Sequence, residues 1–179
     1  MTTTQNLTTL EHVLWPTAGE HELPNLPGFI ASPFGPLIAH VADLCLIRHY
    51  GEPPAPPERG LWTAFVLVTR LGDMATEAAI VQSVDLGTKA SPLLFYQSVP
   101  TAVLGVVAAR WGFGGPVIGI SPVADARAEG LDLAELLIED GSARDVLLVL
   151  VDLATSEGQP DIAEALLVRA AEPHEGEKR

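Results

Sequence analysis

The chain has 179 residues, with 10 Lys and Arg against 23 Asp and Glu, a net charge of −13, and 47% hydrophobic positions. A chain of this size buries roughly 70% of the surface its unfolded form exposes, enough for one core and too little for two ordinary domains. The acidic balance repels phosphate backbones, the 6% aromatic content is poor in stacking platforms, and no apolar run approaches the ~18 residues of a spanning helix, so nucleic-acid and membrane partners are disfavoured.

In chain order, the start Met1–Gln5 lacks the basic and apolar regions of a signal peptide, and the single cysteine, Cys45, allows neither an internal disulfide nor a zinc knuckle; a cytoplasmic setting is expected. Residues 1–33 carry Pro16, Pro24, Pro27 and Pro33 with few periodic apolar positions and read as an irregular arm. Leu37, Val41, Leu44, Cys45 and Ile47 recur at helical spacing, predicting an amphipathic helix that Gly51 ends. Pro53–Pro57 reads as extended, polyproline-like backbone and as a stiff linker rather than a docking motif, closing a first region at 1–58.

The second region, 59–171, alternates strands and helices. Leu61–Val68 predicts a buried strand, Thr69–Asp73 a turn, 74–84 a helix, and Val99–Ala109 another helix with Pro100 in its first turn. A loop at Gly112–Pro116, a strand at Val117–Ile120, a helix at Ala124–Glu139, and strands at Val146–Val151 and Ala165–Val168 complete it. That alternation predicts an α/β fold, a mixed and mostly parallel sheet with helices packed on it. Residues 172–179 read as a disordered, solvated tail.

Ser91–Gly105, with its Pro92, Phe95 and Gly105, resembles the beta-ketoacyl synthase segment in which "P-x-x-F", a short loop and "N-x-x-x-G" lead into a dimer-interface helix. Gly115-Pro116-Val117-Ile118-Gly119-Ile120 resembles the strand that runs into the family's nucleophile turn, and Val146–Asp152 the next central strand. The likeness is to the N-terminal half of a thiolase-fold enzyme, near the short beta-ketoacyl synthase-like N-terminal proteins. It implies a thiolase-like half-fold and a polyketide or fatty-acid setting.

Aligned from Gly115-Pro116, the family's Asp-Thr-Ala-Cys turn falls on Ser121-Pro122-Val123-Ala124, so the nucleophilic cysteine position holds Ala124. A ketosynthase needs a thiolate there, stabilised by a helix N-terminus, and two histidines that the resemblance assigns to a C-terminal half this chain does not contain. The resemblance therefore implies a subunit inactive as a ketosynthase, like a chain-length factor, pairing with a ketosynthase or with itself. It places that interface on Leu94, Phe95, Tyr96, Val99, Val103 and Val106, which carry much apolar surface for a small sheet. It also implies that the helix layer where two halves normally meet must be covered by self-association, a partner or the N-terminal arm.

Other residues carry weaker chemistry. Asp125 and Glu129, at the helix start where the family's pocket lies, are weak catalytic-acid candidates; a solvated first turn is the plainer reading. They define the alternative function, a repurposed cyclase, dehydratase or hydrolase of a carrier-bound acyl chain. A third reading is an acyl or acyl-carrier binding module, which needs a basic patch around Arg48, Arg59 or Arg70. Cys45 reads as a buried apolar residue, and His40 with Asp43 or His49 with Cys45 lack a third ligand, so neither metal nor cofactor is expected. The Gly112–Pro116 loop lacks the Lys-Ser/Thr of a P-loop, and Ser121 has no nucleophile elbow around it.

Overall fold

The computed structural model describes residues 6–16, 22–155 and 159–172. Met1–Gln5 and positions 173–179 of the expected tail lie outside the described residues. In chain order the elements are β1 (Leu7–Trp15), α1 (Phe34–Tyr50), α2 (Pro57–Gly60), β2 (Thr63–Val68), α3 (Met74–Asp85), α4 (Pro92–Gln97), α5 (Pro100–Trp111), β3 (Val117–Ile120), α6 (Ala126–Glu139), β4 (Asp145–Asp152) and β5 (Ile162–Ala170).

The sheet follows from its two most apolar segments. β2 and β4 read TAFVLV and DVLLVLVD and are buried along nearly their whole length, as central parallel strands covered on both faces must be. They pair in parallel, Thr63 opposite Asp145 through Val68 opposite Leu150. β3 adds in parallel to the other side of β2, β5 runs antiparallel to β4, and β1 antiparallel to β5, giving the order β1-β5-β4-β2-β3. The result is the mixed α/β sheet expected from the sequence.

Alternation along the strands separates two cores. Phe65, Leu67, Leu147, Val149 and Leu167 face α1 and α5; Val66, Val68, Val146, Leu148 and Leu166 face α6. At Gly130 of α6 a Cβ would stand 2.8 Å from Leu148 Cδ1 and 3.0 Å from Val68 Cγ2, so the missing side chain sets how closely this helix lies on the sheet. The opposite side of α6 exposes Arg127, Asp132 and Glu139, with Leu136 as its one large exposed apolar residue. That side of α6 is charged and exposed in this chain. α1, packed on β1, β4, β5 and α5, covers the other face.

Three departures from the sequence reading have physical causes. The arm contains β1, whose alternation is broken by a register shift between Thr9 and Glu11; the shift puts Leu10 on the same face as Val13 and Trp15 and hides the period-2 signal. α1 begins at Phe34 and is buried over much more than one stripe, while Ile47, counted in that stripe, faces outward. Ala55, inside the proline-rich stretch, is buried and its N–H donates to the Trp111 carbonyl at 3.1 Å, so this stretch is packed against the end of α5. The Gly112–Pro116 loop is tight as expected: Gly112 closes α5 at φ 70°, and Gly114 and Gly115 N–H donate to the Gly60 and Thr63 carbonyls. Among the described residues no helix is long and apolar enough to cross a membrane.

Candidate functional site

The exit loops of β2, β3 and β4 converge at one end of the sheet. Arg70 ties them together: its N–H donates to Asp152 Oδ1 (3.1 Å), its guanidinium to the Ala124 carbonyl (3.3 Å), and its own carbonyl accepts from Ser121 Oγ (3.2 Å). Its ion pair with Asp152 is solvent-exposed and weak, so the value of Arg70 is positional. Ser121 is thereby a loop-fixing donor.

Ala124 lies in the turn leading into α6, which starts two residues later than expected because Asp125 is its N-cap. Asp125 Oδ1 accepts from Ala128 N–H at 2.8 Å. Glu129, one turn along, reaches back to accept Val123 N–H at 3.0 and 3.1 Å and Ala124 N–H at 2.6 Å. A carboxylate of the chain itself therefore occupies the two amides of the turn just ahead of the N-cap. Both candidate acids are committed to the helix terminus, and a methyl group stands where the resemblance places a thiolate.

Beside this turn a cavity of about 470 Å³ opens over the ends of β1, β4 and β5. Leu14, Trp15, Val68, Leu150 and Ile162 supply much of its apolar wall, and Asp152 and Glu164 its carboxylates; Asp125 and Glu129 are not among its lining residues. Glu164 Oε1 pairs with His12 Nε2 (2.8 Å) and Arg127 Nε (3.0 Å). These residues escaped the sequence reading because they come from β1, α6 and β5, more than 100 positions apart at the extremes, and share no local spacing.

The expected interface divides. Phe95 is 54% exposed, Tyr96 and Val99 are similarly open, and Leu94 and Val106 are half-buried, but Val103 is 1% exposed and packs in the chain's own core. Val103 therefore leaves the candidate surface, because the face of α5 that carries it lies on the sheet. Gln97 anchors α4, its Oε1 accepting from Ile30 and Ala31 N–H at 2.9 and 3.0 Å. β3 reads Val-Ile-Gly-Ile, pairs on one side only among the described residues, and has neither charge nor proline along its open edge.

The remaining candidates are accounted for individually. Burial, reinforced by the Glu11 charge, pushes the Cys45 thiol up to about 12, so it stays protonated and unreactive. Asp43 binds Arg110 and accepts from Trp111 Nε1, His40 stacks edge-on against Trp15 at 5.0 Å, and His49 lies against Tyr50. Arg48 pairs with Glu11 and Arg70 with Asp152, while Arg59 faces a different cavity, so these three form no common patch through their contacts.

The fold as a whole is similar to solved structures of ketosynthases. A ketosynthase (ApeO) in complex with its chain length factor (ApeC) from Xenorhabdus doucetiae aligns over 94% of this chain and 80% of the matched one, at 19% identity and a TM-score of 0.70. The chain has a ketosynthase-like, thiolase-type fold. The ishigamide ketosynthase/chain length factor aligns at TM-score 0.61 and 17% identity over 89% of this chain, and a beta-ketoacyl synthase from Burkholderia phymatum STM815 at 0.65 and 12% over 85%. The ketosynthase-like fold spans about half the length of these last two chains, 54% and 46%. No protein-family model and no curated protein matches the sequence.

Proposed function

We propose that the chain is a non-condensing, ketosynthase-like subunit of a polyketide or fatty-acid system, pairing with a ketosynthase or with a second copy of itself. The observation that carries the reading is the turn at Val123–Ala124, where Glu129 holds both amides and alanine stands at the position the resemblance gives to the nucleophile. Acyl transfer through this turn would need a thiolate and free amide donors in the turn; Ala124 carries no thiol, and Glu129 holds the Val123 and Ala124 amides. The likeness to structures of ketosynthases with chain length factors supports the subunit role.

The pairing surface is the open β3 edge together with exposed Phe95, Tyr96 and Val99. A bare apolar edge strand presents unpaired N–H and C=O groups to another chain, and exposed apolar side chains of this kind are suited to an interface core. Solution mass, measured alone and with ketosynthases of the source organism, tests this. Expected is a dimer or a stoichiometric ketosynthase complex that Phe95→Glu with Val117→Lys dissociates. A monomer that neither binds a ketosynthase nor alters its product refutes the proposal.

The apolar cavity beside α6 favours acyl binding as a second reading, tested by titrating a medium-chain fatty acid against wild type and Leu150→Trp, which should fill the space. Catalysis by Asp125 or Glu129 draws no support from the geometry, since both carboxylates serve the helix terminus.

A further inference from the structure

At the opposite end of the sheet, where β2 and β4 begin and β5 finishes, a cavity of about 640 Å³ is lined by Arg59, Trp62, Arg144, Arg169 and Glu172 over a floor that includes Ala143 and Ala170. Among the described residues there are seven arginines, and five are ion-paired: Arg48 with Glu11, Arg70 with Asp152, Arg110 with Asp43, Arg127 with Glu164, and Arg169 with Asp145. The two without a carboxylate partner among those residues, Arg59 and Arg144, line this same cavity. In a chain with 23 acids and 10 bases, two arginines at one place with no carboxylate partner among the described residues are not explained by a shortage of carboxylates.

The surroundings hold these groups in position. Arg144 N–H donates to the Trp62 carbonyl at 2.8 Å, and its guanidinium lies over the Trp62 ring, 4.9 Å from the centroid. This cation–π contact restrains the guanidinium while leaving its N–H groups able to reach a ligand. Trp62 is 44% exposed, an apolar plate at the cavity wall. Asp145 takes up the charge of Arg169 from beneath, so Arg59 and Arg144 face the cavity against a single lining carboxylate, Glu172.

From these observations we infer that the cavity is a binding site for a phosphate monoester, with Arg59 and Arg144 holding the phosphate and Trp62 contacting an apolar or planar group attached to it. Guanidinium forks match phosphate oxygens in geometry as well as charge, and the volume is that of a small-molecule site rather than of a broad protein footprint. The site is independent of the Ala124 turn and of the proposed pairing surface.

The test is calorimetric titration of the full-length protein with phenyl phosphate, with phenol as the uncharged control. Expected is saturable one-site binding of phenyl phosphate and none of phenol, with Arg59→Gln and Arg144→Gln each weakening affinity about tenfold or more and leaving the ligand-free melting temperature unchanged. Absence of saturable binding, or equal affinity in the double variant, overturns the inference. So does a lowered melting temperature in Arg144→Gln with no effect on phosphate binding, which would assign these arginines to the carbonyl end of α6. Binding of an acidic peptide that phenyl phosphate does not displace also overturns it, by making this face a protein-docking surface.

Discussion

Removing Arg169 should be among the most damaging single changes available in this fold. Asp145 is fully buried at the start of β4 and accepts from Arg169 Nε at 2.5 Å and Nη2 at 2.9 Å; its other side-chain contact is a long 3.4 Å bond from Tyr50 Oη. Arg169→Met keeps the length of the stem and removes the charge, stranding a carboxylate in the core. Breaking one partner of a buried pair costs about 3–5 kcal/mol, and the lower end applies because the Arg169 side chain is 29% exposed and water can reach the gap. At roughly 2–4 °C per kcal/mol for a chain of this size, about 3 kcal/mol lowers the melting temperature by roughly 6–12 °C. The assay is thermal and urea unfolding of wild type, Arg169→Met, Asp145→Asn and the double variant. The double variant should recover much of the loss, since a neutral pair avoids the stranded charge. A loss below about 1 kcal/mol in Arg169→Met, or a double variant no better than the single one, would refute the reasoning.

Ala124→Cys should gain no condensing activity, and its thiol should react with iodoacetamide no faster than an ordinary exposed cysteine, because Glu129 holds the Val123 and Ala124 amides; Glu129→Gln in the same background should increase that reactivity, as read by a rate-against-pH profile. Gly115→Ala should destabilise by about 1–3 kcal/mol, seen as a lower urea midpoint, since its Cβ would stand 2.6 Å from the Thr63 carbonyl oxygen. Stability should fall in alkali: burial raises the Cys45 and Tyr50 groups from 9.0 and 10.0 to about 12, so the folded chain keeps protons that the unfolded chain releases. That contribution is complete below about 9 and is lost as pH rises toward 12, measured by urea midpoints across that range; Cys45→Ala should flatten the early part of the decline. In native protein Cys45 should resist a disulfide reagent until unfolding exposes it.

The central strands were legible because sequence and burial coincide there: Phe65–Val68 and Val146–Val151 are apolar whichever face they present, so no periodicity had to be decoded. α5 was legible through Pro100 at its first turn and Gly112 at its end. β1 was not, because a one-residue shift at Thr9–Glu11 scrambles its alternation and its stabilising partner, β5, lies about 150 positions away. At the turn before α6, the alanine and the two acids could be located from Gly115-Pro116 onward, but not their engagement. That Glu129 folds back onto Val123 and Ala124 depends on the path of the turn. The pairings of Glu164 with His12 and of Arg70 with Ala124 are likewise products of tertiary approach, as is the burial of Val103, which shares its helix with exposed neighbours.

The two margins of the sheet differ in a way that limits how the molecule can assemble. The β1 margin is irregular at Thr9–Glu11 and carries Glu11 and His12, engaged by Arg48 and Glu164, whereas the β3 margin is four uncharged residues with no further strand paired to it among the described residues. Strand addition is therefore available in one direction only. In the proposed pairing, joining two such sheets edge to edge through β3 would use up both receptive margins and leave guarded ones outermost, which would stop growth at two. A sheet receptive on both sides would polymerise; under the proposed pairing this one would terminate.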